Sequence, residues 1–346
     1  MRIPTCALLV AALLVAGSAT DPISATDEGA TQRVTLDDFR RAETDTYFAK
    51  FVQEGSLGKF LHQRDVASVD NQVVIRMNRD TLYSQALFDL DAGPVTVTLP
   101  DSGARFLAMQ MIDQDHYTPA VIYAAGAHTF RREPGGTRYL LALIRIFANP
   151  NDPADMQAVH KLQDAIRVEQ KSAGKFETPA WDQASLKQLR DALNGLTAAN
   201  GGLDSARMFG RKDQVDPVQH LLGTAAGWGG NPRETALYVG GVPPAADGKT
   251  AYTLTVKDVP VDGFWSVSVY NKAGFFEKNA KGAYTLNSVT AKPNADGSTT
   301  IRFGGDERAQ NMLPITPGWN YLVRLYRPRA EILDGTWKFP EPVEQR

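Results

Sequence analysis

The apolar positions of the chain fall into distinct regimes. Residues 7–16 form an unbroken apolar run behind Arg2, and Gly17, Ser18 and Ala19 follow it. A positive residue, a short apolar core and a small-residue exit make the arrangement that signal peptidase reads. Residues 1–19 are therefore expected to be a signal peptide, cut after Ser18 or Ala19, and the mature chain to be periplasmic or secreted. The run is shorter than the roughly twenty residues a membrane helix requires, so no membrane insertion is expected after cleavage. Residues 20–33 are small and polar and read as a flexible leader.

The pattern then turns helical. Leu36, Phe39, Tyr47 and Phe51 recur at helical spacing, Thr35 and Asp38 resemble a capping box, and Gly55 supplies a stop, predicting a helix over 36–51. Strands are predicted over 73–76, 82–88, 95–99, 106–112, 120–123, 128–131 and 139–147, most of them separated by turn residues. Val95, Val97 and Leu99 alternate with Thr96 and Thr98, the mark of a half-buried strand. Residues 139–147 are apolar on both faces except at Arg145 and read as a central strand. Over 151–226 the helical period returns. Met156, Val159, Leu162 and Ile166 share a face behind Asp152 and Pro153. Leu186, Leu189, Leu193 and Leu196 do so behind Asp182, with Gly201 and Gly202 as the stop, and a shorter helix covers 217–225. Further strands are predicted over 236–239, 252–256, 264–270, 299–303 and 321–326, with residues 294–297 as a hairpin turn. Strands running on without intervening helices favour sandwiches over a parallel α/β sheet. The predicted fold is mainly β with a helical insert: a β-sandwich over 34–150, a helical module over 151–226 and a second sandwich over 227–346.

Composition narrows the function classes. There are 37 basic and 39 acidic residues, a net charge of −2 that becomes −3 once Arg2 is removed. Such a balance leaves no electrostatic footprint for nucleic acid or an anionic membrane. The single cysteine, Cys6, leaves with the signal peptide, so neither a disulfide nor thiol catalysis is expected. The chain lacks a Gly-x-Ser-x-Gly elbow, a His-Glu-x-x-His pair, a zinc-type cysteine cluster and a phosphate-binding glycine loop. No metal and no cofactor are therefore expected.

Two groups of residues carry a recognisable signature. Asn78, Arg79, Asp80, Thr81, Leu82, Tyr83 and Ser84, followed by residues 106–113, resemble domain-of-unknown-function family 1254. Trp228 with Gly229, Gly230, Asn231 and Pro232, together with residues 262–270, 284–288, 318–321 and 324–326, resemble family 1214. The resemblance implies an immunoglobulin-like N-terminal sandwich, a small helical module and a jelly-roll-like C-terminal sandwich. It implies no activity, because both families are defined without one.

Three constellations are candidates for chemistry. Asp113 and Asp115 would share a face of a strand and His116 take the other, so an acid/base role needs a turn that gathers them; otherwise they form a solvated strand end. Asn78, Arg79 and Asp80, with Tyr83, can bind an anionic ligand bidentately or lock a turn by charge-assisted hydrogen bonds. In the C-terminal part, alternation puts Trp265, Val267 and Val269 on the core face and Phe264, Ser266, Ser268 and Tyr270 on the other. Tyr270 and Asn271 then end a strand at a sandwich rim. Trp228, Arg324 and Tyr326 add aromatic and polar groups of the kind that suit sugars and other polar organic ligands.

The reading is an exported envelope protein that binds a small polar ligand or serves a structural role. The alternative is a hydrolase or lyase acting on a small polar or carbohydrate-like substrate at an inter-domain cleft. It would use Arg79, Asp80 or the Asp113, Asp115 and His116 group as polariser and proton carrier. A small-molecule ligand and assembly into a homo-oligomer are the partners this pattern allows.

Overall fold

The computed structural model describes residues 31–72, 76–200 and 204–345. The signal peptide expected over 1–19, most of the expected leader, the glycine stop at 201–202 and nearly all of the strand predicted over 73–76 lie outside them. Sixteen strands are described: β1 (Leu61–His62), β2 (Thr81–Asp89), β3 (Val95–Leu99), β4 (Leu107–Asp113), β5 (Ala120–Ile122), β6 (Gly126–Phe130), β7 (Tyr139–Phe147) and β8 (Arg167–Gln170) in the first half. The second half adds β9 (Ala236–Gly241), β10 (Tyr252–Val256), β11 (Trp265–Tyr270), β12 (Thr285–Asn287), β13 (Thr299–Phe303), β14 (Met312–Leu313), β15 (Asn320–Tyr326) and β16 (Val343–Glu344). The α-helices are α1 (Phe39–Gln53), α2 (Pro153–Ala165), α3 (Gln183–Ala199), α4 (Ser205–Met208), α5 (Pro217–Gly227) and α6 (Ala330–Leu333). The fold is mainly β. None of the described helices is long and apolar enough to cross a membrane.

The chain divides into two compact units that are not contiguous stretches, unlike the 34–150, 151–226 and 227–346 partition read from the sequence. Of the described residues, unit 1 comprises those from 31 to 64, 83–146 and 157–230; unit 2 comprises those within 65–82, 147–156 and 231–345.

In unit 1 a five-stranded sheet runs in the order β1-β2-β7-β4-β5, with the doubly apolar β7 in the middle as its sequence predicts. A three-stranded sheet, β6-β3-β8, buries Val95, Val97 and Leu99 and leaves Thr96 and Thr98 half-buried. Helices α1, α3, α4 and α5 close their own core around Phe39, Leu186, Leu193, Phe209 and Leu222. Asp182, placed from sequence, caps α3 by accepting a backbone N–H group, and Asp216 caps α5 in the same way.

Three expectations fail here. Leu36 is 55% exposed because α1 begins only at Phe39, and Leu196 is 59% exposed near the end of α3. The Asp38 side chain takes the Thr35 hydroxyl (2.8 Å) and caps no backbone N–H. The buried face of α1 instead includes Glu43, Thr44 and Asp45. Glu43 is held by Arg190 of α3 (2.5 and 2.8 Å), and Asp45 by Gln114 (2.8 Å) and Trp181 (2.9 Å). Strand β8 lies inside the stretch read as purely helical; with one apolar residue among four, it pairs with β3 through the backbone alone.

Unit 2 is a sandwich of two four-stranded sheets, β14-β13-β10-β16 and β12-β11-β15-β9. Tyr252, Leu254, Ile301 and Phe303 of the first meet Trp265, Val267, Val323 and Leu325 of the second in one core, joined by the fully buried Trp319. Core side chains of this size each contribute about 1.5–3 kcal/mol on burial. The turn at 294–297 forms, with Gly297 at a positive φ of 81°. It joins no hairpin: β13, which follows it, pairs with β10 and β14.

Candidate functional site

The site begins with an anomaly in β11. Alternation sends Trp265, Val267 and Val269 into the core, as the sequence predicts, but every residue of β11 and of its neighbour β15 is buried. The second face of this sheet is therefore polar and dry. Cross-strand register sets Asn287, Ser266, Arg324 and Tyr238 in one row and places Thr285 beside Ser268 in the next. Arg324, 3% exposed, donates through Nη1 to Ser268 Oγ (2.9 Å). Through Nη2 it donates to the Tyr270 hydroxyl (2.8 Å) and to the carbonyls of Arg76 (2.8 Å) and Met77 (3.2 Å). The Tyr270 hydroxyl in turn donates to Met77 O (2.9 Å). Asn78 Nδ2 donates to the Tyr326 hydroxyl (3.0 Å), and its Oδ1 accepts the Asp80 N–H (2.8 Å). Asp80 Oδ1 accepts from Asn287 (3.2 Å) and more weakly from Thr285 (3.4 Å).

Two features set this network apart from ordinary packing. No carboxylate among the described residues comes within ion-pair distance of Arg324. Burial opposes its charge, but Tyr270, Tyr326 and Asp80 outweigh it and hold the guanidinium above its ordinary value. Asp80 Oδ2 and Ser266 Oγ, both fully buried, have no hydrogen-bond partner among the described residues. Each such atom carries a desolvation cost of about 1–3 kcal/mol, more for a charge.

In unit 1 the Asp113–His116 group is neither a solvated strand end nor a pair of carboxylates sharing a strand face. β4 ends at Asp113, whose Oδ1 accepts the backbone N–H groups of Asp115 and Tyr117, both at 2.9 Å. That turn carries His116 inward with a φ of 67° and 2% exposure. Gly229 N–H donates to His116 Nε2 (2.8 Å), so the proton sits on Nδ1 and is donated to Thr224 Oγ1 (2.8 Å). Burial, then His220 and Arg40, lower the His116 pKa well below its ordinary value. His220 stacks on it at 5.6 Å, and its ring nitrogens face the carbonyls of Met208 (2.8 Å) and Asp115 (3.1 Å). The Asp115 carboxylate is held by Arg41 (2.7 Å). Asp113 is pushed up to about 6, chiefly by burial. The group anchors a turn, and no cluster of three metal-ligating side chains occurs among the described residues.

Residues 57–132 match a family model described as a protein of unknown function (DUF1254), and residues 242–330 match a second, also of unknown function (DUF1214). The chain carries both segments. No curated protein matches the sequence. Among solved structures, the VPA0106 protein from Vibrio parahaemolyticus is similar over 90% of this chain and 98% of its own, with a TM-score of 0.67 and 17% identity. A putative uncharacterized protein from Burkholderia cenocepacia aligns over 89% and 88%, at 15% identity and a TM-score of 0.49. The first likeness shows a common fold.

The DUF1254 segment supplies Asn78, Arg79, Asp80, Tyr83 and the Asp113–His116 turn; the DUF1214 segment supplies Tyr270, Asn271, Arg324 and Tyr326. Trp228 and the glycines after it precede the DUF1214 match, although their sequence resembles that family. Within unit 2 the structure brings together Asn78, Asp80, Tyr270, Arg324 and Tyr326. Arg79 stands aside: its guanidinium lies over the Tyr284 ring at 5.3 Å and donates to Ala67 O, tying residues 65–82 down. Asn271 closes the turn after β11 by accepting from Ala273 (3.0 Å) and Phe275 (3.1 Å). Trp228 belongs to unit 1, stacked on Tyr47 at 4.2 Å, and the Tyr83 ring there lies under Arg145. Sequence reasoning missed Ser266 and Ser268 as site residues, although the alternation that sets them beside Tyr270 was legible. It also missed Asn287 as the partner of Asp80, for which no local signal exists.

Proposed function

We propose that this is an exported, non-catalytic binding protein whose polar sheet face in unit 2 holds a small, hydroxyl- or ammonium-bearing ligand. The observation that carries the reading is the separated charge pair. Arg324 is bound only by neutral acceptors, while Asp80 Oδ2 and Ser266 Oγ are buried with their hydrogen-bonding capacity unused. A donor-bearing ligand would satisfy the carboxylate and the hydroxyl together, removing a cost the ligand-free protein bears. Against an acid/base role for the Asp113–His116 turn, His116 is saturated on both nitrogens, and Asp113 Oδ1 is committed to two backbone N–H groups.

Native mass spectrometry of the wild-type protein, purified without denaturation, is expected to show a small-molecule adduct that is lost on unfolding. The Asp80→Asn variant keeps the shape of the side chain but removes its charge, and is expected to lose the adduct and any thermal stabilisation by polyols or amino acids. A wild-type protein that carries no adduct and is stabilised by none of these compounds would remove the reading.

A further inference from the structure

Unit 1 contains a second buried arginine with no anionic partner. Arg145 is the one charged residue of the otherwise apolar central strand β7 and is 5% exposed. Its Nη1 donates to Gln110 Oε1 (2.7 Å) and its Nη2 to Gly229 O (3.2 Å). Its Cζ lies 5.5 Å from the centre of the Tyr83 ring. These contacts engage two of the five N–H groups of a guanidinium. No carboxylate among the described residues lies within ion-pair distance.

A cation taken out of water without a counter-charge is costly even after relaxation. One neutral amide, one carbonyl and a ring face return only part of that. The acceptors are themselves fixed. Gln110 Nε2 donates to Gly230 O (2.8 Å) and Thr118 Oγ1 (3.2 Å), so its Oε1 is aimed at Arg145 and cannot flip away. Gly229 is pinned through its N–H to His116. The guanidinium is thus held in one orientation, and three of its N–H groups make no hydrogen bond among the described residues. The Gly229 backbone itself is open on one side: a β-carbon built there would meet nothing within 4 Å. A planar, immobilised fork with donors to spare is the arrangement that reads an oxyanion in bidentate fashion.

We propose that Arg145 is the charge-reading residue of an oxyanion site in unit 1, taking the carboxylate or phosphate group of a small anionic ligand. Gln110 and the Gly229 carbonyl position the guanidinium, and the ligand supplies the missing counter-charge. The site uses residues of unit 1 alone, so it stands or falls separately from the reading of Asp80.

The test compares thermal unfolding in inorganic phosphate, in acetate and in chloride at equal ionic strength. For a chain of this size one or both oxyanions are expected to raise the wild-type Tm by about 2–4 °C over chloride. The two arms distinguish phosphate-type from carboxylate-type recognition. The Arg145→Gln variant is expected to lose that rise. A wild-type Tm indifferent to both anions, or a rise kept in full by Arg145→Gln, would overturn the proposal. Should that variant not fold, wild-type crystals soaked in selenate decide the matter: anomalous density is expected against the Arg145 guanidinium, and density found only elsewhere refutes the site.

Discussion

Asp113 and His116 stand three residues apart in one turn and respond to pH with opposite sign. Burial raises the Asp113 carboxyl to about 6 from an ordinary 3.8. Its contribution to stability is therefore full below about pH 4 and is lost as pH rises to 6, because the unfolded chain releases the proton first. The His116 and His220 rings are held below their ordinary value, again chiefly by burial. Their contribution is present above pH 6.5 and is lost as pH falls, because the unfolded chain then takes up protons that the folded chain refuses. Asp113→Asn isolates the carboxyl, since an amide oxygen can accept the same two N–H groups from Asp115 and Tyr117. Urea unfolding should show the variant gaining on the wild type by about 1–3 kcal/mol between pH 4 and pH 7. A difference that stays constant with pH would mean that the carboxyl is not raised.

At the scale of elements, the sheet holding β11 and β15 decides the character of unit 2. Its neighbours approach closely at Gly263, where an added β-carbon would stand 2.7 Å from the Tyr326 carbonyl oxygen. Gly263→Ala is therefore expected to force β15 away from the start of β11 and to cost about 1–3 kcal/mol in chemical denaturation. An unchanged midpoint would show that the backbone yields there at no cost. Much at this level was legible in the sequence: β3, β7, β10 and β13 were read with their observed limits, because alternation or unbroken β-branched runs mark them. β8, β14 and β16 were not. They are two to four residues long, too short to show a period; β8 and β16 are edge pairings of largely polar residues, whereas β14 buries Met312 and Leu313. The site shows the same division. Alternation along β11 identified the face that carries Tyr270, but no local pattern says that the face is dry. That outcome depends on Arg76, Met77, Asn78 and Asp80, which are nearly two hundred positions away. The pairing of His116 with His220 was hidden for the same reason.

At the scale of the molecule, the chain passes between its two units at residues 64, 82, 146, 156 and 230. Neither unit can be excised as one piece. A fragment beginning at residue 231 holds all eight strands of the unit 2 sandwich but lacks the carbonyls of Arg76 and Met77, the amide of Asn78 and the carboxylate of Asp80. Arg324 would then face its polar sheet without two of its acceptors. Expressed alone, this fragment is expected to melt well below the intact chain or without a cooperative transition in calorimetry. If co-expressed residues 31–230 restore the transition, the missing segments are the cause; a fragment as stable as the whole would show that they are dispensable.

The order of synthesis sharpens the same point. The carbonyl of Arg76 waits for a guanidinium 248 positions further along, so this contact cannot form until almost the whole polypeptide has left the ribosome. Contacts closing loops of that size are the slow ones in folding. Newly made protein thus passes through an interval in which a strip of unpaired hydroxyls, amides and one cation is still bare, open to water and to whatever else in the compartment can hydrogen-bond to it.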